Sequence, residues 1–141
     1  MYKLSIVIPL LNEAESLPEL HSWIYDVVTK NNLSYELILI DDGSTDNTAE
    51  IIEQYSRNSE KIKTVSISNS GVCCARNFGN SKKSIESKFT LFLDSDDYIA
   101  PEFIEEILEN FKIFRSAPAI YTNFDYVDVN NQIIKNNFRN I

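Results

Sequence analysis

The sequence has little of what disulfide scaffolds and zinc sites require. Its two cysteines are the neighbours Cys73 and Cys74, and His21 is its single histidine. Because adjacent cysteines seldom form a disulfide, the pair indicates free thiols in a reducing compartment. Two cysteines and one histidine also do not make a structural zinc motif. The composition therefore excludes a disulfide-stabilised domain and a zinc-binding domain.

Basic residues and glycines are also scarce. Lys and Arg number 13 against 21 Asp and Glu, a net charge of −8, which disfavours binding to nucleic acid. The three glycines stand at positions 43, 71 and 79, so the P-loop and the Gly-x-Gly-x-x-Gly signature are both missing. No apolar run reaches the roughly 18 residues of a membrane span. Residues 1–11 have the pattern of a buried strand rather than of a signal peptide.

What is present is an alternation of strand and helix patterns over 141 residues, a length typical of one domain. Short apolar runs predict strands, and apolar residues at helical spacing predict helices between them. The predicted strands are 4–8, 36–40, 62–67, 89–93 and 119–127, with a hairpin return at 132–135 after a turn at Asn130-Asn131. The predicted helices carry the apolar stripes 17–28, 51–55, 72–81 and 104–111. The predicted caps are Ser16, in a capping box with Glu19, and Ser44 or Thr45. This order indicates an α/β domain with a mostly parallel central sheet flanked by helices.

Acidic and polar residues follow the predicted strands. The first strand runs into Asn12-Glu13, the second into Asp41-Asp42, and the fourth into residues 94–97, which hold three carboxylates. Neighbouring parallel strands lie about 4.8 Å apart, so these groups are expected to crowd one edge of the sheet. Capping and turn formation explain part of the pattern, above all at Asp41-Asp42. For Asp94 and Asp96, the arrangement of hard oxygen ligands favours Mg²⁺ or Mn²⁺.

A divalent cation at this edge would join the acidic protein to an anionic substrate such as a diphosphate. Gly71, with a helix start after it, is expected to offer amide hydrogens to an anion. Arg76, one turn later, is the best-placed cation for a phosphate, with a surface salt bridge as the plain alternative.

Four segments together resemble the family 2 glycosyltransferases, which have the Rossmann-like GT-A fold. These segments are 5–13 (SIVIPLLNE), 39–46 (LIDDGSTD), 69–79 (NSGVCCARNFG) and 92–97 (FLDSDD), followed by Pro101. Each segment alone is a weak signal, whereas four in the family's order are specific.

The resemblance implies roles at the nucleotide. Pro9 and Glu13 would line the nucleotide pocket. Asp42 would accept a hydrogen bond from the uracil ring of a UDP-sugar, which suits a carboxylate acceptor. Asp41 would either join Asp42 or face the helix. Gly71 would lie near the nucleotide.

It also implies roles at the diphosphate and the metal. Arg76 would lie near the phosphates. Asp94-Ser95-Asp96 matches the Asp-x-Asp motif of the fold. Asp96 would be the main metal contact, and Asp94 would face the ribose or the metal.

The activity implied by the resemblance is metal-dependent transfer of a sugar, with inversion, from a nucleotide-sugar to a hydroxyl of a saccharide or lipid-linked acceptor. The family's general base lies after the last strand, and Asp125 and Asp128 match no such base. We therefore expect residues 1–141 to form one donor-binding domain in which the C-terminal part of the fold is truncated. Members often build cell-surface polysaccharides, which implies a cytoplasmic location and allows peripheral association with the inner face of the membrane.

Two alternatives remain open from the sequence. One is a non-catalytic nucleotide-binding module of the same fold. The other is a signalling receiver domain, although that class expects paired carboxylates after the first strand and a lysine after the last. Three further expectations concern structure alone: His21 is exposed, Cys73 and Cys74 serve helix packing, and Tyr121, Phe124 and Tyr126 pack on the sheet.

Overall fold

The computed structural model describes residues 3–128, 130 and 132–136 and contains a four-stranded sheet of parallel strands. The chain falls into two compact units, one ending at Phe103 and one starting at Ile104. The first unit contains β1 (Lys3–Leu10), α1 (Leu17–Lys30), β2 (Ser34–Asp41), α2 (Thr48–Asn58), β3 (Ile62–Ser66), α3 (Val72–Ser81) and β4 (Ser87–Phe92). The predicted α/β alternation is therefore confirmed, while one domain over residues 1–141 stays a prediction.

The four strands pair in the order β3-β2-β1-β4, and every pair is parallel. β1 and β2 are the interior strands, and Leu10 lies opposite Asp41 while Asp41 lies opposite Ser66. Since all four strands run in one direction, the loops after them share one edge of the sheet. The acidic segments found in the sequence follow three of these strand ends.

The interior strands are buried on both faces. Ile6, Val7, Ile8, Ile38 and Ile40 are all inaccessible to solvent, which explains the continuous apolar runs of β1 and β2. Burial of each such side chain contributes roughly 1.5–3 kcal/mol before entropy costs. The predicted stripe of α1 is buried as a set: Leu17, Leu20, Ile24, Val27 and Val28.

The predicted cap of α1 is confirmed in its position, Ser16, but not in its hydrogen bonding. Ser16 does precede the helix, but its side chain makes no capping hydrogen bond. Its Oγ donates instead to the carbonyl of Glu13 at 3.1 Å and to the Glu13 carboxylate. The capping box with Glu19 does not form because Glu13 takes the hydroxyl.

The start of α2 also differs from the prediction, since the helix begins at Thr48. Asp46 Oδ1 accepts the backbone N–H of Thr48 at 3.0 Å and its hydroxyl at 2.5 Å. Ser44 and Thr45, the predicted caps, contact Asn12 instead: Ser44 Oγ accepts the Asn12 N–H at 2.8 Å, and the Thr45 N–H donates to Asn12 Oδ1 at 2.8 Å. A contact between the loops after β1 and β2 thus replaces the predicted capping bond at the start of α2.

The prediction that His21 is exposed is wrong. It is half-buried, and its ring stacks on Tyr55 with 4.5 Å between centroids and 23° between planes. Burial lowers the pKa of the His21 imidazole. The pair packs α1 against α2.

Glu36 is buried in a polar cluster near the amino ends of the strands. Its carboxylate accepts hydrogen bonds from Ser5 Oγ at 2.6 Å, from the Ser84 backbone N–H and Oγ at 2.7 Å each, and pairs with Lys63 Nζ at 2.8 Å. Burial alone raises its pKa, but the bonds from Lys63, Ser5 and Ser84 outweigh burial and lower the pKa to about 2. The cluster joins β1, β2, β3 and the α3–β4 loop, at the edge away from the acidic loops.

The second unit contains most of α4 (Phe103–Ile113), followed by the antiparallel pair β5 (Asp125–Val127) and β6 (Ile133–Asn136). The predicted strand 119–127 is therefore wrong over residues 119–124, which have no regular structure. Tyr121 lies in that segment, and Phe124 and Tyr126 contact each other edge to face at 5.5 Å.

The return between β5 and β6 is closed by Asp128, whose Oδ1 accepts the backbone N–H groups of Asn130 and Gln132 at 2.9 Å each. These two backbone bonds lower the pKa of Asp128. Asn131, the other residue of the predicted turn, lies outside the described residues. Neither α4 nor any other helix in the described residues has the length and apolar character needed to cross a bilayer.

Candidate functional site

The loops that follow β1, β2 and β4, together with the start of α3, enclose a cavity of about 280 Å³. The lining residues are Pro9, Leu10, Leu11, Glu13, Asp42, Asn69, Gly71, Val72, Asp94, Ser95 and Asp96. All the site residues predicted from the sequence are among them except Asp41 and Arg76. Residues far apart in the chain meet here because their strands are parallel neighbours.

Asp42 holds the loop before α3. Its two carboxylate oxygens accept the backbone N–H of Ser70 at 2.8 Å and of Gly71 at 2.9 Å, and the side chain is only 4% exposed. The anion that the Gly71 amide binds is thus the protein's own carboxylate. Because a carboxylate has about four lone-pair sites, Asp42 keeps acceptor capacity for a further donor.

Asp41, next to Asp42, has a different environment. It is the last residue of β2 and is 3% exposed, and its Oδ1 accepts the Ser44 N–H at 3.0 Å. Successive residues of a strand point to opposite sides. Asp41 therefore stabilises the turn after β2 and does not line the cavity, which leaves Asp42 as the carboxylate of the pair that does.

The Asp94-Ser95-Asp96 segment forms a turn after β4. The Asp97 N–H donates to the Asp94 carbonyl at 3.2 Å, and Ser95 Oγ donates to Glu13 Oε1 at 2.8 Å. Asp97 shows how strongly the carboxylates interact: burial first, then the charges of Asp96 and Asp94, raise its pKa, while Arg76 lowers it. Negative charge is thus concentrated at the cavity wall.

Arg76 does not line the cavity, but it forms an ion pair with Asp94, which does. It lies one turn inside α3, and its Nη2 forms an ion pair with Asp94 Oδ1. Its Nε is buried and has no hydrogen-bond partner among the described residues. Because the side chain does not line the cavity, its positive charge is directed at Asp94 rather than at the open space.

The acidic wall offers oxygen ligands for a divalent cation. No group of three His, Cys, Asp or Glu side chains in the described ranges is arranged as a metal site. Asp94 and Asp96 are two of the four carboxylates that line the cavity, and both belong to the turn after β4. Mg²⁺ commonly uses one or two carboxylates and takes its remaining ligands from water and substrate phosphates. The donor set therefore fits Mg²⁺ or Mn²⁺ bound together with a phosphorylated ligand.

Four lining residues were not predicted as site residues: Leu10, Leu11, Asn69 and Val72. All stand within two residues of predicted ones, but the apolar side chains of Leu10, Leu11 and Val72 carry no chemical signal that separates a cavity wall from the core. Leu11 and Val72 are nearly half exposed, at 46% and 45%, which suits a wall that a ligand covers.

Sequence comparison gives the family. Residues 5–140 match the profile of glycosyl transferase family 2. An uncharacterised glycosyltransferase of Haemophilus influenzae is 35% identical over 133 residues, which cover 94% of this chain and 51% of that protein. The minor teichoic acid biosynthesis protein GgaA of Bacillus subtilis is 37% identical over 112 residues, covering 76% of this chain and 24% of GgaA. The chain thus spans about half or less of the length of these relatives.

Structural comparison agrees. The crystal structure of S. aureus TarS matches with a TM-score of 0.64 and 28% identity, covering 80% of this chain and 20% of TarS. A structure of TarS 1-349 in complex with UDP-GlcNAc matches with a TM-score of 0.60 at 22% identity, covering 92% of this chain and 41% of that chain, and shows the fold alone. These likenesses confirm the GT-A fold predicted from the sequence. With a profile match over almost its whole length, the chain belongs to glycosyl transferase family 2.

Proposed function

We propose that this chain is the donor-binding part of an inverting glycosyltransferase that binds a UDP-linked sugar in the cavity, together with Mg²⁺ or Mn²⁺. One observation carries the proposal: Asp42, from the end of β2, and Asp94 and Asp96, from the end of β4, line the same cavity. Family membership supports the reaction class. The UDP-GlcNAc complex of TarS serves as a guide to which ligand to test.

Asp42 and an apolar wall would hold the nucleoside. Pro9, Leu10, Leu11 and Val72 provide an apolar surface for a flat base. The Asp42 carboxylate, fixed by two backbone N–H groups, can accept one more hydrogen bond at the same wall. The N–H of a uracil ring is such a donor, and this is the reason for preferring UDP.

Asp94 and Asp96 would face the diphosphate. Two carboxylates beside a diphosphate repel it, so a cation between them would strengthen binding. A divalent cation, when bound, supplies charge that stabilises the diphosphate as it leaves. Arg76 reduces the negative charge of Asp94 through their ion pair. The aspartates orient the donor, and the loops keep its reacting end beside the acidic wall.

In the proposed reaction the acceptor hydroxyl oxygen forms a bond to the anomeric carbon while the bond from that carbon to the diphosphate oxygen breaks. UDP leaves with that bonding pair, and the hydroxyl proton passes to a base, which the described residues do not assign. The acceptor in this proposal is a saccharide or a lipid-linked molecule, and the name of GgaA, a minor teichoic acid biosynthesis protein, supports a role in polymer synthesis. The free, exposed Cys73 and Cys74 favour a reducing compartment, so a cytoplasmic location is part of the proposal.

Calorimetric titration tests the proposal. UDP is titrated into the chain with and without Mn²⁺, and the same titration is repeated with Asp96→Asn. We expect Mn²⁺-dependent binding of UDP that weakens at least about tenfold in Asp96→Asn. Asp26→Asn, an exposed position of α1 outside the cavity, is the matched control and should bind like the unmodified chain. A folded chain that binds UDP neither with nor without Mn²⁺ overturns the proposal.

A further inference from the structure

Glu13 joins two loops that are 82 residues apart in the sequence. Ser95 Oγ donates a hydrogen bond to Glu13 Oε1 at 2.8 Å. Ser95 stands between Asp94 and Asp96, and all four residues line the cavity. A residue of the first loop is thus bonded to the centre of the acidic turn.

Glu13 is itself firmly held. Its backbone N–H donates to Thr48 Oγ1 at 2.8 Å. Its carbonyl accepts the N–H groups of Ser16 and Leu17 at 3.2 and 3.0 Å, and its second carboxylate oxygen accepts the Ser16 hydroxyl. Every polar group of the residue has a partner, so its carboxylate is a fixed point for the turn that it contacts.

The acidic turn needs such a fixed point. Its own backbone closure, from the Asp97 N–H to the Asp94 carbonyl, is 3.2 Å long, at the far end of the normal range. Asp94, Asp96 and Asp97 carry like charges that favour spreading of the turn. The Ser95 hydroxyl opposes this spreading because it ties the middle of the turn to a neighbouring loop.

We propose that Glu13 is a positioning residue which, through Ser95, holds the turn so that Asp94 and Asp96 face the cavity. This inference rests on the proposed function and deepens it, because it makes metal-dependent donor binding depend on a residue that is not a metal ligand. A carboxylate suits the task since two hydroxyls donate to its two oxygens at once. A glutamine carries no charge and presents an NH₂ donor where one of these oxygens stands, so one of the two hydroxyls loses its acceptor.

The experiment compares Ser95→Ala, Ser95→Thr, Glu13→Gln and the double variant Glu13→Gln/Ser95→Ala. Calorimetry measures UDP affinity with and without Mn²⁺. We expect Ser95→Ala and Glu13→Gln each to weaken the Mn²⁺-dependent affinity about tenfold, at the lower end of what one hydrogen bond to a charged group contributes. The double variant should be no weaker than either single one, because both remove the same bond. Ser95→Thr keeps the hydroxyl and should bind UDP with the Mn²⁺-dependent affinity of the unmodified chain.

A second measurement needs no ligand. Amide hydrogen exchange of Asp97 should be about tenfold faster in Ser95→Ala and in Glu13→Gln, while exchange in β1 stays unchanged. Strictly additive losses of affinity, or unaltered Asp97 exchange in both variants, overturn the positioning role. If the unmodified chain shows no Mn²⁺-dependent UDP binding, the proposed function fails, and the exchange rates alone then decide whether Glu13 holds the turn.

Discussion

Replacing Glu36 with Gln tests how the sheet is held together at the edge away from the cavity. Glu36 is 2% exposed, and its carboxylate lies within 2.8 Å of donors from Ser5, Ser84 and Lys63. These bonds overcome the cost of burial and lower its pKa from 4.5 to about 2. Glutamine fits the space but loses the charge that Lys63 pairs with.

The magnitude follows from the pKa. Each pKa unit corresponds to about 1.4 kcal/mol, so the lowered pKa of Glu36 contributes about 3 kcal/mol to the free energy of unfolding. Since the folded-state pKa is the lower one, this stability is fully present above pH 4.5 and is lost as the pH falls towards 2. We expect Glu36→Gln to lose about 2–3 kcal/mol at pH 7 and to lack this part of the acid dependence.

Urea denaturation at pH 7 and at steps down to pH 3 measures both effects. Glu53→Gln is the control, because Glu53 forms an exposed helical pair with Arg57 and should cost less than about 0.5 kcal/mol. UDP affinity of folded Glu36→Gln should be unchanged, since the cluster lies away from the cavity. Equal stability of Glu36→Gln and the unmodified chain at pH 7, or parallel losses of stability on acidification, would refute the reasoning.

Two other substitutions probe the loops of the cavity. Asp42→Asn keeps one acceptor for the two N–H groups of Ser70 and Gly71, so it should lower stability by about 1–3 kcal/mol. It should also weaken UDP binding with and without Mn²⁺, and unchanged calorimetric affinity would contradict the role of Asp42 at the base. Gly43→Ala places a Cβ 2.7 Å from the Asn69 backbone nitrogen at a φ of +80°, so thermal unfolding should show a loss of about 2–4 kcal/mol. A loss of stability below about 0.5 kcal/mol would contradict this prediction, because it would mean that the loop at Asn69 shifts away from the added Cβ at little cost.

Local patterns were sufficient for most elements of the first unit. The bounds of α3 agree with the prediction, and the buried stripe of α1 is the one that the spacing indicates. The prediction failed where a distant partner competed with a local one. Asn12 bonds to Ser44 Oγ and to the Thr45 backbone N–H, the two residues expected to cap α2, and Glu13 takes the hydroxyl expected to cap α1. A cap is worth about 1 kcal/mol, so one bond across loops can outweigh it.

By itself, the sequence determined that carboxylates follow the strands of a parallel sheet, because the apolar periodicity predicts where each strand and helix lies. Since parallel strands run in one direction, their carboxyl ends, and the carboxylates after them, lie at one edge of the sheet. The tertiary structure alone decided which side chains turn inward there. Asp42 lines the cavity, whereas Asp41 accepts a hydrogen bond that closes the turn after β2. Arg76 forms an ion pair with the lining residue Asp94, and Glu13 accepts a hydrogen bond from Ser95. These choices depend on contacts between loops far apart in the chain, and local spacing does not carry that information.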